Sequence, residues 1–90
     1  MTLLVSVTRV SHIPEGAELE EFHAAHEKVF GGAVGKMTFL RDPQDANQAA
    51  VVGTVHDLEK MRAISRTSEG DALMRKYGFI EQLSYFLEDG

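Results

Sequence analysis

The chain contains no cysteine and no tryptophan, and only 2 of its 90 residues are proline. Without thiols there is no disulfide, no thiolate metal ligand and no cysteine nucleophile, a usage that fits a cytoplasmic protein. Basic side chains are also few. Lys and Arg number 9 against 14 Asp and Glu, a net charge of −5, and they are scattered along the sequence. Nucleic-acid binding needs cations clustered over phosphates, so no nucleic-acid partner is expected. Long apolar runs are missing as well. Leu3-Leu4-Val5 is too short for a signal peptide, and nothing approaches the ~20 apolar residues that cross a bilayer, so no membrane partner is expected either.

What is present suits one folded domain over residues 1–90, with 43% hydrophobic and 26% charged residues. A chain of this length buries only about 60–65% of its unfolded surface, so burial against a second copy would enlarge a thin core.

Leu3 to Val10 is rich in β-branched residues and partly alternates, which predicts a strand ended by Pro14 and Gly16. A helix follows over 17–30. Gly16 stands at its N-cap, Glu18, Glu20 and Glu21 lie at its positive end, and Gly31-Gly32 stops it. Val34 to Arg41 and Gln48 to His56 read as two strands of an antiparallel hairpin, joined by the turn-forming loop Asp42 to Asn47. Asp57 caps a second helix with Leu58, Met61 and Ile64 at helical spacing. Ser68-Glu69-Gly70-Asp71 is expected to break it before a last turn or two from Ala72 to Tyr77, and Ile80 to Leu87 is the final strand.

The order strand, helix, strand, strand, helix, strand defines an α+β, ferredoxin-like βαββαβ unit. Right-handed crossovers place both helices on one face of a four-stranded antiparallel sheet. The opposite face is left uncovered, with Leu4, Ser6, Thr8 and Val10 of the first strand expected on it beside Val52, Thr54 and His56. Leu83, Tyr85 and Leu87 alternate with Phe86 on the last strand, which is therefore apolar on both sides. Two-sided strands with helices on one side only point to a homodimer joined sheet to sheet.

In topology, size and two-sided strands the chain resembles the dimeric α+β barrel superfamily, which includes antibiotic-biosynthesis monooxygenases, haem-degrading oxygenases, polyketide cyclases, lactone isomerases and stress-response proteins. The resemblance implies a barrel formed by two chains and a pocket between the helices and the sheet of one subunit. It also brings a departure. Haem-degrading and quinone-forming members often carry an Asn on the first strand and a Trp in the pocket, whereas this first strand offers Ser6 and Thr8 and the chain has no Trp.

One helical stripe carries the candidate chemistry. Leu19, Phe22, His23, His26, Val29 and Phe30 share a face, with the imidazole of His26 near its middle. There, His26 either meets a buried partner or faces a cavity, where it could act as a general acid or base. His23, with Glu20 and Glu27 at i, i+3 and i+7, could hold a divalent ion, but a solvated helix edge is the commoner meaning of that spacing, and no metal is assigned. His56 and Tyr85 are possible helpers, and Leu19, Phe22, Phe39, Val55 and Arg41 are candidate ligand-binding residues, Arg41 for a carboxylate. Gly31-Gly32-Ala33-Val34-Gly35 is no phosphate loop, because it follows a helix rather than a strand.

The expectation is a small dimeric cofactor-independent enzyme, monooxygenase-, isomerase- or cyclase-like, acting on a small apolar or aromatic oxygenated molecule. The alternative is a non-catalytic small-molecule-binding, stress-response or interaction domain of the same fold.

Overall fold

Burial alternates along the first strand, β1 (Thr2–Val10), and that alternation defines the two sides of the sheet. The computed structural model describes residues 2–89. After β1 come helix α1 (Ala17–Phe30), a 3-10 turn (Gly31–Ala33), strands β2 (Thr38–Asp42) and β3 (Asp45–Val55), helices α2 (Leu58–Ser65) and α3 (Ser68–Lys76), and strand β4 (Phe79–Asp89). The four strands lie in the order β2-β3-β1-β4, and every neighbouring pair is antiparallel. The fold is therefore the ferredoxin-like α+β fold, with the second helical segment divided in two. No helix among the described residues is long and apolar enough to cross a membrane.

Leu4, Ser6, Thr8 and Val10 of β1 are buried against the helices, while Leu3, Val5 and Val7 take the opposite face. This reverses the side expected for β1. Val5 and Val7 are as apolar as Leu4 and Val10, so hydrophobicity alone could not choose between the two parities. The two inward hydroxyls are satisfied where they lie: Ser6 Oγ accepts from Gln82 Nε2 at 2.7 Å, and Thr8 Oγ1 donates to the Ala49 carbonyl at 3.4 Å. On β3, Val51, Gly53 and Val55 point inward and Val52 and Thr54 outward, with His56 just beyond the strand end.

The hairpin is tighter and shifted relative to expectation. Asp42 Oδ1 accepts from Gln44 N at 2.8 Å and Asp45 Oδ1 from Asn47 N at 2.9 Å, so these carboxylates complete the turn at Pro43-Gln44 and β3 starts at Asp45. At the other end, Val34 forms only an isolated bridge to Val55, and β2 proper begins at Thr38. The Ala33 carbonyl accepts from both His56 N and Asp57 N, which ties the 3-10 turn to the end of β3 instead of extending the ladder.

Ser68-Glu69-Gly70-Asp71 is not a break but the first turn of α3. Thr67 Oγ1 accepts from Gly70 N at 3.0 Å, and Glu69 and Asp71 suit the positive end of the helix. The interruption falls at Arg66 and Thr67, where Thr67 Oγ1 also donates to the Ile64 carbonyl at 2.6 Å. A side chain on the buried Gly70 would collide with that same carbonyl, so the α2–α3 corner requires glycine.

Phe22 and Val55 are fully buried at the centre of the core, joined by Phe30, Val34, Met37, Val51, Leu73 and Tyr77. On β4 the register shifts opposite Val7/Thr8 and Arg9/Val10, which leaves Leu83 and Ile80 bulged and exposed. Leu83 therefore does not alternate regularly with Tyr85 and Leu87. The open face of the sheet presents Leu3, Leu40 and Phe86, the last 64% exposed.

Candidate active site

Phe22, His26 and Phe30 recur at intervals of four on the buried face of α1, so one turn stacks on the next toward the sheet. His26 is only 4% exposed. Its ring lies 4.6 Å from Phe30 in a stacked arrangement and 5.2 Å from Phe22. None of the described residues hydrogen-bonds to its ring nitrogens, yet no buried side-chain polar atom among the described residues is sealed without a partner. The reason is a cavity of about 490 Å³ between the helices and the sheet, with His26 in its wall. This volume falls in the range of small-molecule sites.

Burial and the neighbouring His23 lower the His26 pKa from 6.5 to about 4, with burial the larger cause. The ring is thus neutral at physiological pH, with a nitrogen lone pair free to accept a proton. Around it the floor is supplied by Leu4, Ser6 and Thr8 of β1 and Val51 of β3. Met37 fills the space that a side chain on Gly53 would occupy, and it closes one side of the cavity. Gln82 and Tyr85 on β4 face Arg62 and Arg66 at the end of α2, and these exposed groups frame the mouth. Arg62 Nη2 donates to Tyr85 Oη at 3.5 Å across it.

The other sequence candidates lie around this cavity rather than in it. Phe22 stands behind His26 and, with Phe39, borders a much smaller hollow beside Tyr77. Val55 is core, and Leu19 packs against the core from α1. His23, His56 and Arg41 are not part of the cavity wall. The Glu20, His23 and Glu27 ladder does not close on an ion: no three His, Asp or Glu side chains among the described residues come together as a metal site. Tyr77 is committed elsewhere, its hydroxyl donating to Glu21 Oε1 at 3.0 Å.

Sequence reading missed Ser6 and Thr8 as wall residues because their parity was reversed. It missed Arg62 and Arg66 because the α2 face was drawn through Leu58, Met61 and Ile64. The spacing did contain a signal, since 58, 62 and 66 also form a helical row, apolar at one end and cationic at the other.

No family model matches the sequence, and no curated protein matches it. Solved structures do match the fold. SnoaB, a cofactor-independent oxygenase from Streptomyces nogalater, superimposes with a TM-score of 0.58 at 17% identity over 99% of this chain and 91% of that one. HapK from Hahella chejuensis gives a TM-score of 0.67 at 15% identity, covering 100% of this chain and 92% of its own. An antibiotic biosynthesis monooxygenase gives 0.55 at 8% identity over 100% and 98% of the two chains. The chain thus shares the ferredoxin-like α+β fold of these structures.

Proposed function

We propose that the protein is a small-molecule enzyme in which His26 removes a proton from an enolisable or phenolic aromatic ligand, without a bound organic cofactor. The observation that carries this is the neutral imidazole, without a hydrogen-bond partner among the described residues, buried in the wall of an otherwise mostly apolar cavity. Burial makes the free imidazole a weak base. A ligand anion formed beside the ring offsets that effect, because an opposite charge within a few ångströms favours the imidazolium. The Ser6 hydroxyl, which accepts from Gln82, keeps its own hydrogen for an oxyanion on the ligand.

Proton removal is the first step shared by isomerase, cyclase and oxygenase chemistry. In the oxygenase branch, the electron-rich carbanion gives one electron to O₂, and recombination forms a peroxide at the same carbon. Loss of water then leaves a carbonyl where the CH₂ stood. One O₂ is consumed, one oxygen atom enters the product, the other leaves as water, and no external reductant is required. SnoaB, described as a cofactor-independent oxygenase, supports this branch by its shared fold.

The assembly in this reading is a homodimer in which a second copy covers the open sheet face, where Leu3 at 39%, Leu40 at 50% and Phe86 at 64% exposure leave apolar surface in water. The catalytic proposal is tested with 1,8-dihydroxyanthrone, a tricyclic carbon acid, by following O₂ uptake and ¹⁸O incorporation. The expected result is protein-dependent quinone formation with one O₂ consumed per anthrone, slowed by about 10²-fold or more in His26→Gln. Equal rates for the two proteins, or none above the spontaneous reaction, would refute it.

A further inference from the structure

We propose that the cavity mouth selects ligands bearing a carboxylate, held by Arg62 and Arg66 while the reactive end of the molecule reaches His26. This deepens the catalytic reading above and rests on it.

Arg62 and Arg66 stand one helical turn apart and both line the cavity. Like charges at that spacing disfavour each other. In a chain carrying 14 acidic side chains against 9 basic ones, a carboxylate between them would be easy to supply, yet neither arginine forms an ion pair with any described residue. The acidic residue in the wall, Asp71, is occupied by Arg75, whose Nε lies 3.0 Å from its Oδ2. The polar contact made by Arg62 is the 3.5 Å bond to Tyr85 Oη, which turns the guanidinium across the mouth and leaves most of its donors unused.

The second observation is independent of these charges. His26 is more than nine-tenths buried, has no hydrogen-bond partner among the described residues and contributes to the same cavity. One end of the space therefore holds a neutral polar group without a partner, and the other holds two cations without an anion. Met61, Met74 and Phe79 add apolar surface to the same wall. A flat apolar body with a reactive C–H or O–H at one end and an acid at the other satisfies both ends. Guanidinium pairs hold carboxylates in a planar, two-bond geometry.

The test is calorimetric titration with anthraquinone-2-carboxylate and its neutral carboxamide at low and high salt. Wild-type protein, Arg62→Gln/Arg66→Gln and the charge-matched Lys28→Gln/Lys60→Gln, whose side chains lie outside the cavity wall, are compared. The expected result is a preference for the carboxylate of about tenfold or more at low salt, reduced at high salt, brought within about twofold in the first double variant and retained in the second. Equal binding of the two probes by wild type would overturn the anion selectivity and leave the pocket standing. A preference that persists in Arg62→Gln/Arg66→Gln would do the same. Absence of binding by either probe would overturn the selectivity together with the pocket reading itself.

Discussion

Replacing His26 by Gln removes the one buried imidazole and keeps a neutral polar side chain in its place. In the unfolded chain this histidine has an ordinary pKa near 6.5, whereas in the fold burial and His23 hold it at about 4. Above pH 6.5 both states carry a neutral ring, and the group contributes no pH dependence. Between 6.5 and about 4 the unfolded state binds a proton that the folded state does not, so unfolding becomes easier as pH falls. At about 1.4 kcal/mol per pH unit, the interval amounts to roughly 3 kcal/mol of stability lost by pH 4, a large part of what a small domain possesses. The assay is urea denaturation of both proteins from pH 7.5 to 4.0, read by circular dichroism. His26→Gln is expected to be less stable than wild type at pH 7.5 and to fall less steeply, so that the two curves converge or cross in acid. Parallel curves would refute the placement of a neutral imidazole in this wall. The remaining side chains are common to both proteins, so the difference between the curves reports His26 together with its coupling to His23.

Other substitutions probe other parts of the same construction. Phe22→Ala removes a fully buried ring that touches His26, Phe39 and Tyr77, and should cost about 3–5 kcal/mol in denaturant titrations. Ser6→Ala should lower stability by about 1 kcal/mol through loss of the Gln82 bond, and should weaken turnover of the anthrone probe more than Thr8→Ser. Gly70→Ala drives a methyl group into the Ile64 carbonyl and should cost about 1–3 kcal/mol, seen as a lower melting temperature, whereas Gly32→Ala, which meets open space, should not. Phe86→Lys on the open sheet face should shift sedimentation from dimer toward monomer while leaving the circular dichroism spectrum unchanged.

Sequence pattern was informative where periodicity and end signals agreed. The α1 stripe, closed by Gly31 at a positive φ of 57°, matches a helix over 17–30, and the order of elements defines the sheet. The β1 parity was not legible, because Leu4 and Val10 compete with Val5 and Val7 on equal apolar terms while the decisive groups, Ser6 and Thr8, are polar and point inward. Ser6 accepts from Gln82, 76 residues away, and Thr8 donates to Ala49, 41 residues away, pairings that no local pattern encodes. The α2–α3 corner was misplaced for a related reason. Ser, Glu, Gly and Asp in succession resemble a loop, but the capping hydroxyl of Thr67 turns them into a helix start. The candidate site divides in the same way. His26 was visible as an imidazole on an apolar stripe. The arginines were hidden because long cations on a helix usually mean solvent, and only the cavity beneath α2 gives them a second role.

The central claim, that His26 takes a proton from a bound ligand, is tested most directly by anaerobic hydrogen exchange. With O₂ excluded, 1,8-dihydroxyanthrone in deuterated buffer near pH 7 can only exchange its CH₂ hydrogens, and proton NMR follows their loss. Wild-type protein is expected to accelerate this exchange, with His26→Gln close to the buffer rate. Equal acceleration by the two proteins, or none by either, would contradict the assignment.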